Sequence, residues 1–156
     1  MNIRRARESE AAALCALAFD SKQYWGYSPQ DIERWLPGLI VSSHDISSKP
    51  TFIAEIKNEV AGFYLLTPKP QAWELDHLWV APKFMRRGIG RALLAHAAHS
   101  TWLAGVSSIV IDSDPNAEPF YVACGATRQG VVAAPSTGNP GRFRPQLALH
   151  VNIHAA

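Results

Sequence analysis

One stretch constrains this chain more than any other: residues 73–104, WELDHLWVAPKFMRRGIGRALLAHAAHSTWLA. Trp73 to Val80 is aromatic or branched at most positions, broken by Glu74 and Asp76, and predicts a strand. Ala81-Pro82 ends it, because proline supplies no ladder donor. Ala92 to Ala95 are strong helix formers, so a helix is expected from Gly88 to about Ala104, stopped by Gly105. Between them lies Lys83-Phe84-Met85-Arg86-Arg87-Gly88-Ile89-Gly90-Arg91. Such a helix start suits an anion, because its first N–H groups have no partner within the helix and sit at the positive end of the macrodipole. Gly88 and Gly90 carry no Cβ, which lets a phosphate approach the backbone. Arg86, Arg87 and Arg91 add charge that phosphate oxygens use well. The pattern suits a ligand carrying a diphosphate; the bland alternative is a solvated basic helix start.

Two nucleotide loops do not fit. A Walker loop needs Gly-Lys-Ser/Thr, whereas Arg91-Ala92 follows the second glycine, and Leu93 stands where a dinucleotide fingerprint wants a third Gly or Ala. The strand and turn together resemble motif A of the Gcn5-related N-acetyltransferase (GNAT) superfamily. In that family the backbone amides of Gln/Arg-x-x-Gly-x-Gly/Ala hold the pyrophosphate of acetyl-coenzyme A (acetyl-CoA). Gly88 and Gly90 match the two small positions, and Met85 departs from the usual Gln or Arg. The departure weakens side-chain support while leaving the backbone amides. The resemblance implies an acetyl-CoA site over Met85, Arg86, Arg87, Gly88, Ile89, Gly90 and Arg91, with Leu78, Trp79 and Val80 beside the pantetheine arm. It implies acetyl-CoA as cosubstrate, with no metal. It also implies an α+β fold of α/β/α layers, with a mixed, mostly antiparallel, splayed central sheet flanked by helices.

A second stretch, DSDPNAEPFYVACGA from Asp112 to Ala126, reads by itself as a short capped helix. Asn116 is a favoured N-cap, Pro119 then falls in the first turn, and Tyr121 is a packed aromatic. Coupled to the glycine turn, it is similar to the family segment in which Asn contacts the pantetheine and Tyr sits near the thioester sulfur as general acid. The resemblance gives Asn116 and Tyr121 those roles.

Acyl transfer to an amine needs a neutral amine, a site for the developing oxyanion and a proton for the leaving thiolate. An alkyl ammonium with a pKa of about 10 requires a base or a water chain near neutral pH. Glu74 stands fourteen residues before Gly88, matching the general-base Glu of the histone-acetylating branch of the family. It shares strand parity with Asp76, Leu78 and Val80. Asp76 and His77 are the next candidates, His77 on the opposite face unless a bulge turns it. The bland reading of each is a polar residue at a sheet edge or surface. Because the family splays this strand to receive the pantetheine, the resemblance implies a backbone N–H near Trp79-Val80 as the oxyanion donor. Tyr121, with an ordinary pKa of about 10 against about 8.5 for a thiol, is the expected acid.

The rest of the chain is compatible. At 156 residues it is expected to form one domain, 1–156, with a real core. Its 47% apolar and 18% charged content suit a soluble protein. No apolar run spans a membrane, Glu8 and Glu10 interrupt any leader-like segment, and Cys15 and Cys124 lack metal or redox spacing. A cytoplasmic setting follows. A net charge of +2 without a Lys/Arg block argues against nucleic acid.

The expected order is a strand from Asn2 to Ala6, a helix from Glu8 to Asp20, a loop through Tyr27 and a helix begun by Ser28-Pro29. A polar connector from Ser42 to Pro50 follows, then strands Thr51–Ile56 and Val60–Leu66 around Lys57-Asn58-Glu59. After the central stretch come a strand at Ser107–Asp112, a helix at Ala117–Cys124, and strands Ala126–Val132 and Leu147–Ile153 joined by a Pro/Gly-rich segment.

His96 and His99 lack a third ligand and are expected on the surface, as are His150 and His154; Trp79 and Trp102 are expected in the core. Tyr24, Trp25, Tyr27 and Trp35 lie where the family builds its acceptor site, or simply pack helices. Arg142 and Arg144 in the late loop either meet an acidic acceptor or, the preferred reading, lie in solvent. The reading is an N-acetyltransferase acting by direct attack on a small-molecule or peptide amine, with no cysteine placed for a covalent intermediate. Its rival is a coenzyme A-binding sensor without turnover. A second rival is a structural dimer whose late β segment, Ala126 to Ile153, exchanges with a partner, an arrangement compatible with catalysis.

Overall fold

A computed structural model describes residues 1–152. The fold is α+β: a seven-stranded sheet of order β1-β2-β3-β4-β5-β7-β6, flanked by helices. The strands are β1 (Asn2–Arg5), β2 (Thr51–Ile56), β3 (Glu59–Thr67), β4 (Trp73–Val80), β5 (Ser108–Asp112), β6 (Thr127–Ala133) and β7 (Phe143–His150). The helices are α1 (Ala11–Gln23), α2 (Pro29–Trp35), α3 (Ser43–Ser48), α4 (Ile89–Leu103) and α5 (Glu118–Ala123). Only β4 and β5 pair in parallel among the strand registers described; the other pairs are antiparallel. The chain forms two compact units, one of Met1–Leu66 and His77–Leu94, the other of Thr67–Asp76 and the chain from Ala95.

In the first unit, β2 and β3 form a hairpin around Lys57 and Asn58, both left-handed with φ of 50° and 64°. Two consecutive positive φ values make the tight turn whose twist matches the strands, and Asn tolerates that conformation. α1 lays Leu14, Leu17 and Ala18 on Ile53, Phe63 and Leu65 of the sheet. Cys15 is structural: its Sγ accepts from the Val41 N–H at 3.2 Å and donates to the Val41 carbonyl at 3.3 Å.

α1 starts and ends later than expected, after a 3₁₀ turn at Glu8–Glu10. Its final turn carries no apolar stripe because the residues it buries are Ser21 and Lys22. The Lys22 ammonium lies 5.1 Å from the Tyr27 ring and 5.0 Å from the Trp35 ring, a pairing of charge with π-face that hydrophobic periodicity does not register. α2 begins as expected, the Ser28 hydroxyl accepting from the Asp31 N–H at 3.1 Å with Pro29 in the first turn. Pro37 sits in a 3₁₀ turn from Leu36 to Leu39.

The expected connector from Ser42 to Pro50 instead contains α3. It is set by a reciprocal cap in which Ser42 Oγ accepts from Asp45 N–H and the Asp45 carboxylate accepts from Ser42 N–H, both at 3.0 Å. Those bonds hold the Asp45 carboxyl below its usual value. Only Ile46 of this helix is buried, so there was no apolar periodicity to read.

In the second unit, β7 lies between β5 and β6. Leu75, Ile109, Ile111, Leu147 and Leu149 are buried, while the alternate positions Glu74, Val110 and Ala148 are at least partly exposed. β7 begins at Phe143 rather than Leu147 and ends at His150; Ile153 and His154 lie outside the described residues. Pro145 is tolerated within it because the β5 ladder ends at the Asp112–Gln146 pair, so no donor is needed from Pro145 toward β5. Its carbonyl still accepts from Ser113 N–H at 2.9 Å.

Candidate active site

The basic turn is built as a ramp into α4. Ala81 N–H donates to the Ala61 carbonyl at 2.8 Å, fixing the end of β4, and the Pro82–Phe84 3₁₀ turn buries Phe84. Met85 N–H is spent on the Pro82 carbonyl at 3.3 Å. Arg86 and Gly88 then take left-handed conformations with φ of 64° and 80°, which reverse the chain into the helix. A Cβ at Gly88 would meet nothing within 4 Å, so it is the conformation, not crowding within the protein, that favours glycine there. Ile89, 3% exposed, and the fully buried Leu93 anchor the helix start.

The first helical bond runs from Ala92 N–H to the Gly88 carbonyl at 3.1 Å. The amides of Ile89, Gly90 and Arg91 precede it and have no carbonyl one turn back. Arg86, Arg87 and Arg91 are exposed and none is ion-paired among the described residues; the Arg87 guanidinium lies 5.5 Å from the Phe84 ring. Positive charge and free amides therefore converge on one helix end, as anion binding requires. Lys83 contributes less, because it pairs with Glu59.

Leu78, Trp79 and Val80 are half-buried at the end of β4 in the same unit. Gly62 on β3 lies beneath them: a Cβ there would stand 2.7 Å from the Trp79 carbonyl oxygen and 3.4 Å from Val80 Cα. That close approach fixes the backbone of Trp79 and Val80, and nothing local in the sequence marks Gly62 for it. His77, a candidate base, is instead a core residue, 8% exposed. It stacks on Phe63 at 5.8 Å, and its Nδ1 accepts from Trp79 Nε1 at 3.0 Å.

The remaining candidates belong to the second unit. Glu74 is half-buried and pairs with Val110, on the face opposite Leu75; the β4–β5 ladder covers only Trp73, Glu74 and Leu75. Asp76 is exposed and accepts from the Thr67 hydroxyl. Asn116 does not cap α5: Ala117 does. The Asn116 N–H and Nδ2 both donate to Asp114 Oδ1, at 2.8 and 3.0 Å, so a local carboxylate captures the residue before it can cap. Tyr121 is the buried residue of α5, 7% exposed. Burial first, then the nearby Cys124 and Asp114, push its phenol well above the ordinary value.

Against this geometry, the family model for the Acetyltransferase (GNAT) family matches residues 13–126. The chain belongs to the GNAT family. It is thus an acyltransferase whose cosubstrate is acetyl-CoA and whose acceptors are amines. Solved structures share its fold. PaiA N-acetyltransferase from Thermoplasma acidophilum, in complex with coenzyme A, superposes with a TM-score of 0.74 at 19% identity, covering 96% of this chain and 98% of that one. The ribosomal-protein-S18-alanine N-acetyltransferase of Escherichia coli gives 0.75 at 17% identity, with coverage of 97% and 94%. The structure of yncA from Salmonella typhimurium with its cofactor acetyl-CoA gives 0.72 at 18%, covering 100% and 96%.

Several expectations for this GNAT acetyltransferase are corrected. His96 and His99 are half-buried rather than on the surface. Burial, reinforced by His99, holds the His96 imidazole below its ordinary value; His99 Nδ1 is buried without a hydrogen-bond partner, and its ring stacks on Trp102 at 5.9 Å. Trp102, expected in the core, is 36% exposed, whereas Trp79 packs against the core. Arg142, expected in solvent, is buried against Asp114; Arg144 is partly exposed and pairs with Asp112 at 2.8 Å. Tyr24 and Trp25 are exposed and meet edge-on at 5.3 Å, while Tyr27 and Trp35 pack around Lys22. Among the described residues no group of three or more His, Cys, Asp or Glu could hold a metal, and no helix is long and apolar enough to cross a membrane.

Proposed function

We propose that this GNAT member, acting as one domain over 1–156 in the cytoplasm, moves acetyl from acetyl-CoA to a primary amine by direct attack. The observation that carries this is the left-handed turn at Arg86 and Gly88 that presents the free amides of Ile89, Gly90 and Arg91 beside three unpaired arginines. Those amides and arginines take the pyrophosphate. Because Met85 N–H is already used within its turn, its Gln/Arg-type side-chain contribution is not replaced by its backbone. The backbone of Leu78, Trp79 and Val80 runs along the pantetheine, with an N–H near Trp79-Val80 for the oxyanion. Asn116 contacts the pantetheine arm.

In the reaction, the amine nitrogen attacks the thioester carbon, the C–N bond forms and the C–S bond breaks. The proton from nitrogen goes to Glu74, directly or through water. The thiolate takes one from Tyr121, which solvent replaces. Burial keeps the Tyr121 phenol protonated throughout the physiological range, so it donates a hydrogen bond to sulfur in the ground state. Full transfer follows only as charge develops on the leaving thiolate, since a phenol raised above about 10 is a weaker acid than a thiol of about 8.5. The acceptor is a small-molecule or peptide amine, and a homodimer is compatible with this role.

The test is titration calorimetry with acetyl-CoA, NAD and ATP, followed by an amine panel with wild type and Tyr121→Phe. Micromolar binding of acetyl-CoA alone, with turnover lost in the variant, supports the proposal. Binding with no turnover for any amine would favour a coenzyme A sensor, and no binding would end the enzyme reading.

A further inference from the structure

We propose that Arg142 is a positioning residue for the acyl-donor site, holding Asn116 in place through the Asp114 carboxylate. Arg142 is far along the chain from every motif of the sequence, at the end of the β6–β7 loop, yet it is only 6% exposed. A buried guanidinium is costly unless its donors are used. Here Nη1 donates to the Ala134 carbonyl at 2.9 Å and Nη2 to Asp114 Oδ2 at 3.3 Å. The loop is closed on the same pair of residues by Ala134 N–H donating to the Arg142 carbonyl at 3.0 Å. Arg142 is therefore a fixed point rather than a mobile cation.

Asp114 divides its two oxygens. Oδ2 faces Arg142, and Oδ1 accepts both Asn116 bonds at 2.8 and 3.0 Å. Its backbone carbonyl accepts from the Ala117 N–H at 2.9 Å, at the residue that caps α5. The Asp114 carboxylate thus orients the Asn116 amide, while its backbone carbonyl holds the start of the helix that bears Tyr121. With its N–H and Nδ2 both held by Asp114 Oδ1, the plane of the Asn116 amide is set by that carboxylate. The planar guanidinium is anchored on the Ala134 carbonyl through Nη1 while Nη2 meets Asp114 Oδ2, a two-point arrangement that a lone lysine ammonium supplies only in part.

This role presupposes that Asn116 meets the acyl donor, and a thermodynamic cycle separates the two ideas. Acetyl-CoA is titrated into the full chain as wild type, Arg142→Met, Arg142→Lys, Asn116→Ala and the Arg142→Met/Asn116→Ala double variant, with thermal melts alongside. Arg142→Met is expected to weaken binding about tenfold, the usual scale for a lost charged hydrogen bond. Arg142→Lys should recover part of that, and Arg142→Met should cost little more once Asn116 is Ala. Wild-type affinity in Arg142→Met, or an undiminished tenfold loss in the Asn116→Ala background, overturns the proposal. Should Arg142→Met not fold, Arg142→Lys with and without Asn116→Ala completes the same cycle. Absence of acetyl-CoA binding by the wild type would bring down the donor site itself, and this role with it.

Discussion

Substituting Gly62 with alanine should damage both stability and donor binding, although alanine is ordinarily the better residue in a strand. Replacing glycine removes conformational freedom from the unfolded chain and should gain about 0.5–1 kcal/mol. Against that, the new Cβ would stand 2.7 Å from the Trp79 carbonyl oxygen, 3.1 Å from Leu93 Cδ1 and 3.4 Å from Val80 Cα. The first contact is roughly 0.5–1 Å inside ordinary van der Waals range. Its partner is backbone, so no rotamer change relieves it. Overpacking of this kind costs about 1–3 kcal/mol, and a clash with backbone belongs at the upper end. The net loss is about 2 kcal/mol, or a fall in Tm of about 4–8 °C for a chain of this length.

The strain must be relieved by moving β3 away from Trp79 and Val80, the residues proposed to line the pantetheine. Acetyl-CoA affinity should fall with Tm, by about tenfold or more, since small misplacements at a site are costly. Differential scanning calorimetry gives the first number and isothermal titration the second. A Gly62→Ala protein melting within 1 °C of wild type would refute the packing argument, and unchanged acetyl-CoA affinity would separate the Trp79–Val80 backbone from the donor site.

Three further outcomes are expected. Gly90→Asp should weaken acetyl-CoA binding at least tenfold, because it puts a carboxylate at the helix end proposed for the diphosphate; unchanged affinity by calorimetry would remove the phosphate site from this turn. Glu74→Gln should lower turnover by about 10²–10⁴-fold at saturating substrate if Glu74 takes the proton, and an unaltered pH–rate profile would assign that role to water or another residue. Glu10→Gln should cost about 1–2 kcal/mol near neutral pH, because Glu10 accepts two hydrogen bonds from Arg4 at 2.9 and 2.8 Å. The hydrogen bonds from Arg4, and then that from the Arg7 N–H, hold the Glu10 carboxyl below its ordinary value of 4.5. The stability it confers is therefore fully present above that value and lost as pH falls through the folded one. Melting temperatures of wild type and variant should converge below pH 4.5, and a gap that persists in acid would sink this assignment.

Elements in which local chemistry and periodicity agree could be read without the fold. β2 and β4 match their expected bounds, and α4 and α5 come within a residue or so of theirs, because alternation, helix formers and glycine stops all point the same way. The family, the glycine turn and the acetyl-CoA cosubstrate were legible for the same reason: the amides at a helix start are a local property of the chain.

Tertiary structure decided what depends on partners distant in sequence. Gly62 gains its meaning from Trp79 across a strand pair, and Arg142 from Asp114 across a loop. His77 became core because Phe63 stacks on it, and the last turn of α1 formed because two aromatic rings receive the Lys22 charge. Asn116 lost its expected cap to a carboxylate two residues away, where two local arrangements competed for the same side chain. In each case the deciding energy is a contact between residues that no window of sequence brings together, or a choice between local bonds that only packing settles.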